Sequence, residues 1–342
     1  VDTADRWSLP RWAPYVSGPK RQEMAQTPLW VDEPGSLDWM APHSAPGVSV
    51  GRWHANTLWP EPGDVMVEAF GCDPAPAFVA AFAAARAQTG RWINLEYLSA
   101  EPFVERVHGL PSPVAHGPGA GLVKHFFYPG FTPATGGLLR ETDLAQRRAA
   151  FDPAQWARRN GIPETDGLRV SLFCYEPPAL TELLQWLARN SRPAQLLVTS
   201  GRAAAAARAS LAADPALGSL QVHWLELMEQ PAFDELLWAC DLNFVRGEDS
   251  LVRAAWAARP FVWHIYPQDD CAHHYKLSAF LARLQPPEDW AGFMRVWNGM
   301  DAGPLPRPDP TGWAPAAAAF AAALAAQDDL VTQLLRFVAK KR

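Results

Sequence analysis

Cysteine is scarce in this chain: four among 342 residues, Cys72, Cys174, Cys240 and Cys271, far apart and without a C-x-x-C pair. That excludes a disulfide framework and a zinc knuckle, and it fits a reducing compartment, so a cytoplasmic protein is expected. No apolar run reaches the ~18 residues that a bilayer span requires, and the opening VDTADRW has no apolar signal core. No membrane partner is expected. Charge is sparse as well, at 19% of residues with a net charge of -6. The clustered Lys and Arg of a general nucleic-acid surface are therefore missing, although one specific anion pocket is not excluded. The familiar nucleotide loops are absent too. Without G-x-G-x-x-G or G-x-x-x-x-G-K-[ST], dinucleotide oxidoreductases and P-loop NTPases are disfavoured. There is no H-E-x-x-H, and the G-x-S-x-G of Gly47–Gly51 falls inside GVSVGRW, which reads as a strand and not as a strand-to-helix elbow. Nor is there an Asp-x-Asp, the usual metal handle of one large class of sugar-nucleotide transferases.

What is present is a large apolar fraction, 49%, enough to bury a sizeable core. The length suggests two domains of roughly 150 residues each. We expect an N-terminal domain over residues 1–160, atypical over 1–28, and a C-terminal domain over 161–342 whose last helices pack back on the first. In the first half LWVDE, GVSVGRW, GDVMVEAF, RWINLEYLS and KHFFYPGF read as strands and PAFVAAFAAARA as a helix. Pro111, Pro113, Gly117 and Gly119 mark a long loop. From Leu168 onward strands alternate with single helices, the signature of a parallel, doubly wound sheet.

One stretch of that second half gathers chemistry. Leu242–Val245 reads as a buried strand, Ser250–Ala258 as an amphipathic helix and Phe261–Tyr266 as the next strand. Between strand and helix lies Arg246-Gly247-Glu248-Asp249-Ser250, at the carboxyl edge where open α/β sheets bind ligands. A helix start and a guanidinium both suit phosphate. The two carboxylates suit it less, and are better placed on sugar hydroxyls, a cationic acceptor or the helix end. The plain alternative is a capping turn with Asp249 or Ser250 as N-cap and Arg246 neutralising the acids.

These residues, with FCYE (Phe173–Glu176), RPFVWHIYPQ, VEAFGC, NLEYLSAE, HGLPSP, FFYPGF and TGGLLRE, resemble the EarP family, protein-arginine rhamnosyltransferases of elongation factor P. The resemblance implies a GT-B fold, two Rossmann-like domains facing one another across a central cleft. It also implies an inverting, metal-independent enzyme that moves rhamnose from dTDP-β-L-rhamnose to an arginine of elongation factor P. Carried over by motif, Phe173, Tyr175 and Gln230 meet the nucleotide base. Arg246, Asp249 and Ser250 meet the diphosphate and ribose, and Glu248 is the glutamate assigned to catalysis. Leu227 stands where the family usually has phenylalanine. Family members also open with a D-N-[FY]-G-D-I-G loop whose aspartates supply the proposed general base. This chain has VDTADRWSLPRWAP instead, and Asp2 and Asp5 are its nearest candidates. That departure leaves open a non-catalytic or impaired homologue that binds nucleotide sugar and elongation factor. A GT-B enzyme of other sugar specificity, or a nucleotide-sugar epimerase, is the remaining alternative.

Several other groups have bland readings beside functional ones. Phe173 and Tyr175 lie two apart on a strand and share a face, which is usually a core face. Most of the sixteen tryptophans belong to packing. Asp269, Asp270, Cys271, His273 and His274 imitate a metal cluster but scatter around a helix, so a solvated helix start is expected. Glu68, Glu96 and Tyr97 are candidates either for a site in the first half or for satisfied strand ends.

Overall fold

A computed structural model of the chain describes residues 27–31, 48–52, 61–70 and 73–340. Contacts divide it into two units, one running to Thr142 and taking back Gln327 onward, the other spanning Asp143–Ala326.

In the first unit β1 (Thr27–Val31) and β2 (Val48–Arg52) pair in parallel. A second sheet has the order β3-β4-β6-β5, from β3 (Val65–Ala69), β4 (Arg91–Leu95), β5 (Pro111–Pro113) and β6 (Val123–Phe127). The expected long loop is thus partly wrong: Pro111–Pro113 forms an antiparallel edge strand, and Pro102–Val107 ahead of it is helical. Proline is tolerated there because an edge strand leaves one row of its N–H positions unpaired. The helix Pro76–Arg86 starts with proline at its first turn and buries Val79 and Phe82 against Met66, Trp92 and Leu122. On the rest of that core lies the last helix, Leu330–Lys340. Its Leu330, Leu334, Phe337 and Val338 pack on Ile93, Leu95 and Phe127.

The second unit is one parallel sheet of order β11-β10-β7-β8-β9, where β7 is Leu168–Leu172, β8 Ala194–Val198, β9 Gln221–Trp224, β10 Leu242–Arg246 and β11 Phe261–His264. Every residue of β8, β10 and β11 is buried, as expected of parallel strands covered on both faces. Counted within the unit, the order is third, second, first, fourth, fifth. The direction of winding therefore reverses between β7 and β10, and a crevice at the carboxyl ends of two such strands is where ligands of this topology bind. Beneath β10 and β11 sits an aromatic core: Trp290 and Trp313 stack at 5.4 Å, and Phe244 lies 4.6 Å from Trp297. Trp290 and Trp297 come from a helix, Glu288–Trp297, that the sequence reading did not separate. Among the described residues no helix is long and apolar enough to cross a membrane.

Candidate active site

The turn after β10 is built by backbone conformation. Arg246 is extended (φ −133°, ψ 158°), and Gly247 follows at φ +67°, a region that side-chain-bearing residues rarely enter. This reversal lets the helix begin at Gly247 and run to Ala257, earlier than the expected start near Ser250. The capping reading is corrected accordingly. The N-cap is Arg246, and no side chain caps it, so neither Asp249 nor Ser250 fills that role. Ser250 sits one turn inside the helix and clasps the turn from there: Arg246 N–H donates to its Oγ at 3.1 Å, and the hydroxyl donates to the Arg246 carbonyl. Glu248 and Asp249 occupy the first helical turn, where the helix dipole favours negative charge.

The FCYE segment leaves β7 beside this turn, and Phe173 N–H continues the ladder to the Phe244 carbonyl at 3.0 Å. That register brings the two sequence motifs into contact. The buried Arg246 guanidinium lies 4.6 Å from the Phe173 ring centroid and 4.7 Å from that of Tyr175. Phe173 meets Phe233 edge-on at 5.6 Å. At the other end the Arg202 guanidinium lies 4.8 Å from the Tyr175 centroid and is paired with Glu176. A row of rings and guanidinium groups thus runs in contact: Phe233, Phe173, Arg246, Tyr175, Arg202, alternating from Phe173 onward. Each such contact is worth ~0.5–2 kcal/mol, and together they hold the Arg246 guanidinium between the two rings. Cys174, between the two rings in sequence, is fully buried, and burial pushes its thiol well above the ordinary range.

Two buried groups steady this arrangement. His264 is the register partner of Arg246 on β11, and its Nδ1 accepts the Tyr175 N–H at 3.3 Å. Burial drives its pKa down to about 3, so it is neutral beside two arginines. Asp234, on the helix Gln230–Ala239, receives Arg253 Nε at 2.6 Å and Nη2 at 2.5 Å, both residues being buried. A forked pair of this kind ties that helix to the one carrying Glu248 and Asp249.

Asp249 itself is half-buried, and loss of surrounding water together with the charge of Glu248 pushes its carboxyl up to about 7, with Arg253 pulling the other way. A carboxyl that is about half protonated at neutrality repels a phosphate less and can donate to it when protonated. The sign for stability follows. From about 4 to about 7 the folded protein holds a proton that the unfolded chain has released, so rising pH destabilises the fold across that window. Asp249→Asn therefore gains midpoint over the parent in urea unfolding as pH rises through the window, and the gain levels off above it. A gain that is the same at every pH contradicts this assignment.

The remaining candidates fall as follows. Gln230 opens its helix half-buried, and Leu227 just before it is 71% exposed, an apolar side chain on the carboxyl side of β9. Glu68 is satisfied within the first unit, accepting from Trp92 Nε1 at 3.0 Å and Lys124 Nζ at 2.7 Å. Glu96 accepts from Asn94 at 2.8 Å, while Tyr97 is exposed and packs on Phe70 at 5.2 Å. Among the described residues no group of three or more His, Cys, Asp or Glu gathers as metal ligands. Asp270 instead caps Ala272, and His273 accepts from Gln268 N–H. Asp2 and Asp5 lie outside the described residues. Sequence reasoning did not single out Arg202, His264 or the Asp234–Arg253 pair. His264 stands inside a quoted motif, but only strand register reveals its neighbour.

The comparisons with known proteins agree on one family. The family described as Elongation-Factor P (EF-P) rhamnosyltransferase EarP matches over residues 19–339. The chain is 43% identical over 340 residues to the protein-arginine rhamnosyltransferase of Pseudomonas putida, covering 90% of this chain and 89% of that one. With the protein-arginine rhamnosyltransferase of Pseudomonas aeruginosa it shares 41% over 299 residues, 80% of this chain and 78% of the other. A protein solved in work on the structural basis for EarP-mediated arginine glycosylation of translation elongation factor EF-P superposes with a TM-score of 0.61 at 28% identity. That match covers 93% of this chain and 99% of that one. The expected GT-B fold, assembled from Rossmann-like α/β units, is the one observed.

Proposed function

The chain belongs to the EarP family of elongation factor P rhamnosyltransferases, and from that membership we propose that it moves L-rhamnose from dTDP-β-L-rhamnose, with inversion, to an arginine side chain of elongation factor P in the cytoplasm. The observation that carries this reading is the Arg246 guanidinium held between Phe173 and Tyr175 at the sheet's reversal point. A nucleoside diphosphate is suited by a fixed cation and a helix N-terminus at such a crevice, and Arg246 with the start of the helix Gly247–Ala257 supplies both. Because the cation belongs to the protein, the reading calls on no metal ion.

In the reaction a guanidinium nitrogen of the acceptor attacks the anomeric carbon. The bond from that carbon to the diphosphate breaks, and its electron pair stays on the phosphate oxygen of a leaving diphosphate that Arg246 helps to hold. The attacking nitrogen gives up a proton to a base. Guanidinium is a poor nucleophile because it stays protonated at cellular pH, so the enzyme must orient it with carboxylates. Glu248 is the carboxylate of the donor unit suited to that work. Asp249, whose carboxyl burial brings up to about 7, and Gln230 serve the nucleotide, with Ser250 holding the turn on which they depend. The high identity to proteins named protein-arginine rhamnosyltransferase favours transfer over epimerisation and over a purely binding homologue.

Intact-mass analysis of elongation factor P after incubation with the chain and dTDP-rhamnose tests the reading. A rhamnose-sized gain is expected, and it disappears when the acceptor arginine is replaced by lysine. Free thymidine diphosphate released without any gain on the acceptor contradicts it.

A further inference from the structure

Arg202 opens the helix Arg202–Ala213 immediately after Gly201, on the far side of Tyr175 in the sheet order from β10. Its side chain is 28% exposed, whereas Arg246 is buried. Two guanidinium groups therefore share one phenol ring, at 4.7 and 4.8 Å from its centroid. Like charges so close raise the local potential, which only a nearby anion offsets. That anion is Glu176, which takes Arg202 Nε at 2.8 Å and also Nη2. The hydrogen bond with Arg202 holds the Glu176 carboxyl below its usual range.

The alternating row of rings and cations has a direction. Phe173 touches Phe233, on the helix that Gln230 opens, so the row begins beside the residue matched to the base. Arg246 is the middle cation, and Arg202 is the cation farther from that end. Resting on the nucleotide-sugar reading above, we propose that Arg202 is a further donor-binding residue, one that contacts the sugar-proximal phosphate while Arg246 holds the phosphate nearer the base. Glu176 orients the Arg202 fork. The residue thus gives the site its preference for a diphosphate over a monophosphate.

Calorimetric titration with thymidine monophosphate and with thymidine diphosphate separates this from a role in merely supporting Tyr175. Both Arg202 and Glu176 are at the surface, so Arg202→Ala is expected to fold, and a melting curve checks that. The variant loses about tenfold or more in affinity for the diphosphate, the worth of a charge-assisted hydrogen bond, and within about twofold for the monophosphate. Arg202→Lys recovers part of the loss, since it keeps the charge without the fork. Equal weakening toward both nucleotides means that Arg202 acts only through Tyr175, and overturns the proposal. Unchanged affinity for the diphosphate overturns it too. A parent protein that binds neither nucleotide saturably fails at the earlier step and contradicts the proposed function instead.

Discussion

Glu248→Ala lowers the turnover of rhamnosyl transfer by about 10²–10³-fold, the usual effect of removing one preorganised electrostatic group. Affinity for dTDP-rhamnose stays within about threefold, because an interaction made only in the transition state leaves ground-state binding intact. The split between the two parameters follows from charge. Glu248 sits in the first turn of the helix Gly247–Ala257, two positions beyond Arg246, and a carboxylate there gives nothing to the binding of an anionic donor. Its value lies in balancing positive charge, either on the incoming guanidinium or on the sugar as the bond to phosphate lengthens. Glu248→Gln preserves shape and hydrogen bonding without the charge, and loses nearly as much turnover. Parallel losses in binding and turnover would show instead that Glu248 is part of the donor pocket.

Asp234→Ala destabilises the protein by about 3–5 kcal/mol, because it strands the Arg253 guanidinium in the interior without its principal acceptor. Arg147 also donates to Asp234, at 3.4 and 3.5 Å, but its side chain is only partly buried and keeps Asp143 at 3.4 Å, so the buried Arg253 bears most of the loss. Replacing both members together, as Asp234→Leu with Arg253→Met, removes the buried charges rather than orphaning one. The double variant therefore recovers most of the loss in urea unfolding. A double variant as unstable as the single one would mean that packing around Asp234, not charge, is what the site protects. The pair also matters to function, since it anchors the helix on which Glu248 and Asp249 ride.

Much of the second unit was legible because its strands are short apolar runs separated by single amphipathic helices, a pattern with few other physical solutions. The alternation from Leu168 to Leu284 gives a parallel sheet, and the turn after β10 then lies at its carboxyl edge. What periodicity does not contain is order across the sheet. That Arg246 touches Phe173 and Tyr175 depends on β7 and β10 being neighbours, and that His264 supports Tyr175 depends on the register of β11. The start of the site helix was placed late because Glu248, Asp249 and Ser250 look like capping residues. The positive φ at Gly247 did that work instead. In the first unit two prolines read as a loop, since sequence cannot tell an edge strand, where proline is harmless, from a break. The pairing of Asp234 with Arg253 joins distant helices and leaves no local trace.

The central claim is that a nucleotide's diphosphate docks on Arg246 at the reversal point between β7 and β10. Titration of the parent protein and of Arg246→Ala with dTDP-rhamnose measures it directly. Saturable binding by the parent, weakened about 10–100-fold in the variant while its melting curve stays cooperative, is the predicted result. Equal affinity in the two proteins would place the donor elsewhere.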